Sequence, residues 1–68
     1  MNYTVLIHKE EDAYVSFCPE LDVASQGSTI EEAKNSLKEA IDLFLEHAPE
    51  EEKHRRIHSE IFVTTVSA

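Results

Sequence analysis

Histidine, cysteine and carboxylate side chains are the groups in this 68-residue chain that could take part in catalysis or hold a metal ion. His54 and His58 stand four residues apart, just after Glu50 and Glu51. On a helix this spacing would place both imidazoles on one face as metal ligands. The stretch is otherwise a solvated run of charges with no HExxH pattern and no cysteine beside it. We therefore expect no metal and no cofactor.

The sequence does not indicate nucleophilic catalysis. No histidine stands near Cys18 to activate its thiol, so the sequence favours a small packing residue at this position. His8 is interpreted as a surface residue of a strand, and His47 as a favourable cation at the end of a helix. Phosphate-binding loops, nucleophile elbows and zinc-ligand spacings are absent from the sequence. We therefore expect the protein not to be an enzyme.

The charge balance favours a binding protein and limits its partners. Six Lys and Arg residues against 14 Asp and Glu residues give a formal net charge of −8. A chain this acidic is repelled by the phosphates of nucleic acids and attracted to basic surfaces. We therefore expect no direct binding to DNA or RNA.

Length and cysteine content bound the architecture. A domain of about 60 residues buries only roughly 60% of its unfolded surface, so a disulfide, a metal or a partner usually adds to its stability. The single cysteine cannot close an internal disulfide, and a lone thiol fits a reducing compartment. No apolar run approaches the ~18 residues of a membrane span. We expect one cytoplasmic domain over residues 1–68 that forms a homodimer or a higher oligomer.

Residue patterns predict four strands and one helix. Val, Ile, Tyr and Phe are concentrated in residues 2–9 and 12–18, which predicts a β-hairpin. Residues 23–26, before Gly27, form a short third strand, and residues 59–66 form a β-branched final strand. Thr29 and Glu32 fit a capping box at the start of the helix. Pro49 ends this helix, and residues 49–58 form a loop or a short helical turn.

The element order β-β-β-α-β predicts an α+β fold. Three strands in an antiparallel meander, followed by a helix on one face, bring the last strand parallel to the first, with sheet order 3-2-1-4. A single helix covers one face of this sheet and leaves the other to water or to a partner. We expect Leu6 and Tyr14 on the uncovered face, and Leu43 beside the apolar stripe of the helix, to mediate self-association.

Four motifs occur in a fixed order along residues 3–46: YTVLI, YVSFCPEL, ASQGSTIEEA and LKEAIDLFLE. Together they resemble the HicB-like antitoxin domain, whose members combine a strand hairpin, a PEL motif, a QG-x-T-x-EEA helix start and an EAI-containing helix. The resemblance implies a partial ribonuclease H-like β-β-β-α-β fold. This chain has Asp22 and Val23 where many members have Pro-Gly after the PEL motif.

The resemblance also implies a function. Such antitoxins bind a small basic HicA-type toxin, which cleaves mRNA, and cover its RNA-binding or catalytic surface. A net charge of −8 suits this role, because an acidic surface can imitate the polyanion that the toxin recognises. Many members carry a C-terminal DNA-binding module, and we expect none over residues 1–68.

Local acid density suggests where the toxin would bind. The hairpin turn and the PEL segment carry five acidic residues beside predicted sheet edges, and we expect them to contact the basic partner: Glu10, Glu11, Asp12, Glu20 and Asp22. The alternative is that these residues only form solvated turns and contact no partner.

A nuclease and a structural or regulatory module are the two alternatives to an antitoxin. Ribonuclease H-type nucleases hold two divalent ions with clustered carboxylates, and the predicted first strand, residues 2–9, contains no Asp or Glu, so we expect no nuclease activity. The remaining alternative is a stand-alone structural or regulatory dimeric module of the same fold, with another partner or a small ligand.

Overall fold

A computed structural model describes residues 2–56, 58 and 60–68, with the backbone alone for Arg56. It contains a three-stranded sheet followed by two helices. The elements, in chain order, are β1 (Leu6–Glu10), β2 (Ala13–Cys18), β3 (Val23–Gly27), α1 (Ile30–His47) and α2 (Glu50–Arg56). Neither helix of the described residues is long and apolar enough to cross a membrane.

The sheet is an antiparallel meander with β2 in the centre. Ser16 of β2 pairs with Ile7 of β1 and with Ser25 of β3. Because successive strand residues point to opposite faces, these three residues share one face, and the neighbouring row of Leu6, Phe17 and Ala24 lies on the other. We call the first the helix face and the second the outer face.

Helix α1 covers the helix face, and local signals determine where it begins and ends. The Thr29 hydroxyl accepts a hydrogen bond from the Glu32 amide at 3.0 Å. The Glu32 carboxylate accepts from the amide of Ser28 at 3.1 Å, one residue before the amide expected in a capping box. The helix ends at His47, where the amide of Ala48 still donates to Phe44 at 3.0 Å.

The core lies between α1 and the helix face. Ala33, Leu37 and Ile41, spaced four residues apart, form the buried stripe of α1. They pack with strand and loop residues, and the main buried cluster is Cys18, Leu21, Val23, Leu37 and Ile41. The Ser16 hydroxyl is fully buried and donates to the carbonyl of Ala33 at 2.8 Å, which ties the central strand to α1 without an unpaired polar group.

The prediction of a fourth strand is wrong. Residues 60–68 form neither helix nor strand, and Ser59, where that strand was predicted to begin, lies outside the described residues. The order 3-2-1-4, with its parallel strand beside β1, and the β-β-β-α-β order are therefore not found. Val- and Thr-rich segments form strands only where a sheet edge pairs with them. The His58 amide instead donates to the Glu20 carbonyl at 2.7 Å, so the chain is held at the β2–β3 loop.

Two further sequence predictions need correction. The first strand begins at Leu6, not at residue 2, because the amide of Thr4 donates to the Glu20 carboxylate outside the sheet. Leu6 and Tyr14 do not share a face. Leu6 pairs with Phe17 on the outer face, whereas Tyr14 stands two residues from Ser16 on the helix face.

Gly27 provides a test of how closely β3 approaches α1. A Cβ atom at this position would lie 2.5 Å from the backbone nitrogen of Ala33 and 2.7 Å from the backbone carbon of Glu32. Because these atoms belong to the first turn of α1, the strand or the helix must shift to admit a methyl group. We expect Gly27→Ala to lower the free energy of unfolding by about 1–3 kcal/mol, measured by urea denaturation.

The matched control is Ser28→Ala at the next position. Ser28 is exposed, and the variant keeps the backbone amide that donates to Glu32. We expect a change within about 0.5 kcal/mol. Equal losses in the two variants would contradict the close approach at Gly27.

Candidate functional site

The predicted contact acids divide between two ends of the sheet. Glu10, Glu11 and Asp12, called here the hairpin acids, lie at the β1–β2 turn. Glu20 and Asp22 lie in the β2–β3 loop, at the opposite end of β2. Six residues of β2 at about 3.3 Å each separate the two groups by roughly 20 Å. The structure therefore does not bring the five residues together into one patch.

The hairpin acids are exposed at the tip of a tight turn. Glu10 pairs with Ala13, so Glu11 and Asp12 alone form the turn, with Glu11 at φ 50°. The ring of His8 lies beside this turn, with Nε2 3.8 Å from a carboxylate oxygen of Glu10. The tight turn thus holds three carboxylates close together in solvent.

The β2–β3 loop places Glu20 beside the core. A turn with Pro19 at its second position is closed by the amide of Leu21, which donates to the carbonyl of Cys18 at 3.3 Å. The Leu21 side chain is fully buried, and Asp22 takes the left-handed backbone conformation, φ 55°, that returns the chain into β3. The buried leucine holds the preceding glutamate against the protein.

The Glu20 carboxylate ties the N-terminal segment to this loop. The Thr4 amide donates to both carboxylate oxygens, at 3.0 and 2.9 Å, and the Thr4 hydroxyl donates to one of them at 2.7 Å. The Cys18 thiol lies 3.6 Å from the other oxygen. We call this arrangement the Glu20 clamp. Sequence reasoning treated Glu20 as a surface acid and missed this role, for which its place between Pro19 and a buried leucine was the available signal.

The clamp shifts the pKa values of two groups. Burial raises the pKa of Glu20, but the hydrogen bonds to its carboxylate, chiefly those from Thr4, together outweigh burial and leave the pKa of this carboxyl below its usual value. Burial also raises the pKa of the Cys18 thiol, and the neighbouring Glu20 carboxylate adds to the increase. Cys18 therefore remains a protonated packing residue at neutral pH, not an activated nucleophile.

The same loop receives the chain after α2. The His58 amide donates to the Glu20 carbonyl at 2.7 Å, and Nε2 of the His58 ring lies 3.1 Å from a carboxylate oxygen of Asp22. His58 lies beyond the end of α2, so it does not share a helical face with His54. Among the described residues, no group of three His, Cys, Asp or Glu side chains is arranged to hold a metal ion.

The predicted self-association residues occupy three different surfaces. Leu6 is 40% exposed on the outer face, in the row that also contains Phe17 and Ala24. Tyr14 is half-buried on the helix face, with Nζ of Lys9 5.9 Å from its ring centre. Leu43 is 57% exposed on α1.

Leu43 lies in an apolar groove between β3 and the C-terminal half of α1. We call it the β3 groove. Its polar lining residues are Asp22, His47 and Glu52, and its apolar lining residues are Val23, Ala24, Ala40, Leu43, Phe44 and Ala48.

A second groove lies on the other side of α1, against the N-terminal segment. Tyr3, Val5, Ile41 and Leu45 supply its apolar lining. Lys34 and Lys38 give it a basic side, and Nζ of Lys38 donates to Asp42 at 2.8 Å, which raises the pKa of the lysine. We call it the lysine groove.

The Glu20 clamp predicts a defined loss of stability. Glu20→Ala leaves the amide and hydroxyl of Thr4 without their acceptor, and we expect the free energy of unfolding at pH 7 to fall by about 2 kcal/mol. Because the pKa of Glu20 is lowered by folding, its contribution is complete above the ordinary glutamate pKa and disappears as the pH falls through the lowered value. Urea denaturation at successive pH values measures both effects.

Two variants control this measurement. Glu20→Gln keeps an oxygen acceptor without the charge, and we expect it to lose less stability than Glu20→Ala while losing the same acid dependence. Glu39→Gln removes an exposed carboxylate of α1 and should leave stability and its pH profile unchanged. A Glu20→Ala variant whose stability follows the wild-type pH profile would show that the clamp contributes nothing.

Comparison with known proteins gives one informative similarity. The chain is 53% identical over 47 residues to UPF0150 protein ssr1765 of Synechocystis sp. (strain ATCC 27184 / PCC 6803 / Kazusa), and the alignment covers 66% of this chain and 60% of that protein. No family model matches the chain, and no solved structure matches it. About two thirds of this chain is thus similar to a UPF0150 protein. The similar region makes up less than two thirds of that protein.

Proposed function

We propose that this protein is an antitoxin-like binding module of the HicB-like type. In this proposal it neutralises a small basic HicA-type toxin, which cleaves mRNA, by direct binding. The ordered motifs of residues 3–46 and the net charge of −8 support the proposal. This chain supplies no catalytic step, and it works in the cytoplasm, where the mRNA is.

The arrangement of the hairpin acids is the observation that carries the proposal. They project from the tip of a two-residue turn, and in the described part of the chain no cation lies within ion-pair distance of Glu11 or Asp12. Glu31 is exposed at the start of α1, at the same end of the sheet, since Gly27 pairs with Tyr14 near that turn. A basic RNA-binding surface would find several closely spaced negative charges here, as on an RNA backbone.

The loop acids are less suited to this contact. The Glu20 carboxylate already accepts hydrogen bonds from Thr4, and Asp22 lies beside the His58 ring. The nearby α2 mixes acidic and basic residues within EEEKHRR. We therefore place the main toxin contact at the hairpin end, with Glu10, Glu11 and Asp12.

Electrostatic attraction explains how such a contact would act. Complementary fields speed the encounter of two oppositely charged proteins, and salt weakens this attraction by screening it. Once bound, the acidic end occupies the basic surface that the toxin uses for RNA. Neutralisation then requires only that this surface is covered.

A charge-reversed hairpin tests the proposal. In Glu11→Lys/Asp12→Lys two negative charges become positive at the proposed contact. The cognate toxin is sought as a small basic protein encoded in a reading frame next to this one, and we expect affinity for it to fall at least 10-fold at low salt, with a weaker salt dependence. Calorimetric titration over a series of salt concentrations measures both, and co-expression tests relief of toxicity.

The control variant is Glu39→Lys/Glu46→Lys, which makes the same change in net charge on exposed positions of α1. We expect it to lose much less affinity than the hairpin variant. Equal losses would mean that net charge alone drives binding. Absence of a basic neighbour, or of any binding to it, would favour the stand-alone structural or regulatory module, for which the lysine groove is the site to screen with small anionic ligands.

A further inference from the structure

The C-terminal segment, residues 61–66, has the composition of a strand and is exposed except at Ile61, which is half-buried. Its sequence is IFVTTV, without a charge, and Phe62, Val63 and Val66 are 83%, 70% and 86% exposed. Val, Ile, Phe and Thr are the residues that best fit a pleated, half-buried surface. Exposed apolar side chains in such a row mark an interaction surface.

The edge of β3 is the part of this protein best suited to receive a strand. Its sequence, VASQG, carries no charge, and its side away from β2 has no strand beside it among the described residues. An unpaired edge without charged residues is a template for pairing with another chain. The β3 groove lies directly beside this edge, so an added strand could bury alternate side chains against Leu43 and Phe44.

The edge of β1 is protected in comparison. Its second half contains His8, Lys9 and Glu10, all exposed, with Nε2 of His8 3.8 Å from a carboxylate oxygen of Glu10. Charged side chains along an edge strand oppose pairing with another strand. The two edges of the sheet therefore differ, and β3 is the open one.

We propose that the C-terminal segment of each chain adds as a fourth strand to the β3 edge of a second copy. Six extended residues at about 3.3 Å each are long enough to pair along all five residues of β3. In a two-fold dimer each copy gives one segment and receives one, so both open edges are covered. This assembly does not depend on the proposed function.

Charge identifies a second copy as the occupant. Two chains of net charge −8 repel each other, and a contact between uncharged surfaces brings the fewest like charges together. The C-terminal segment and the β3 edge are both uncharged, and the same chain carries both. His58, three residues before the segment, is held at the β2–β3 loop, so the segment follows from the beginning of the β3 edge.

Sedimentation velocity on the purified protein tests the exchange. We expect the full chain to sediment as a dimer. A chain truncated after Glu60 lacks the donated segment, and Leu43→Asp puts a charge into the receiving groove. We expect each to raise the dimer dissociation constant at least 10-fold. An equimolar mixture of the two should form heterodimers, because the intact segment of one fits the intact groove of the other.

Leu6→Asp is the matched control, since it places the same charge at an exposed leucine on the outer face, away from the β3 groove. It should remain a dimer. Should the truncated chain fail to fold, judged by circular dichroism, Phe62→Asp replaces it as the donor variant. A monomeric full chain, a truncated chain that still dimerises, or a mixture that stays monomeric would each overturn the proposal, whether or not a toxin is bound.

Discussion

The Glu20 clamp is the contact on which the arrangement of this small protein depends. The Glu20 carboxylate accepts hydrogen bonds from the amide and the hydroxyl of Thr4 and lies beside the Cys18 thiol. The Glu20 carbonyl accepts a hydrogen bond from the His58 amide. The N-terminal segment, the end of β2 and the chain after α2 therefore meet at one residue. Hydrogen bonds to an ionised group are among the stronger ones in proteins. The carboxylate that accepts them here belongs to a residue inside the turn that buries Leu21.

Local signals made part of the fold predictable. Thr29 at the start of α1, the four-residue spacing of Leu37 and Ile41, and Pro49 after its end determine the main helix. Which side chains share a sheet face depends on turn length, which the sequence left open because the hairpin lacks an Asn-Gly pair. A two-residue turn pairs Glu10 with Ala13, and this pairing separates Leu6 from Tyr14. The predicted fourth strand failed because composition does not supply a partner edge.

The candidate site was less predictable, because acidic residues look alike in a sequence. Glu11 and Glu20 each stand in a turn between strands, yet one is exposed to solvent and the other is half-buried against Thr4. The difference arises from contacts between residues that are 16 positions apart. The grooves beside α1 have the same origin, since strand and helix residues distant in the chain line them together.

Binding a basic toxin and pairing with another acidic chain place opposite demands on the surface. Attraction to a basic toxin is strongest where acidic side chains have no cation beside them. Pairing of two acidic chains is easiest where neither surface is charged, because like charges repel. The protein separates these surfaces: the hairpin acids lie at one end of the sheet, and the uncharged β3 strand runs along one edge. Salt acts on the two contacts in opposite directions, because screening weakens attraction to a cation-rich partner and relieves repulsion between identical chains. A salt series therefore distinguishes the two proposed contacts.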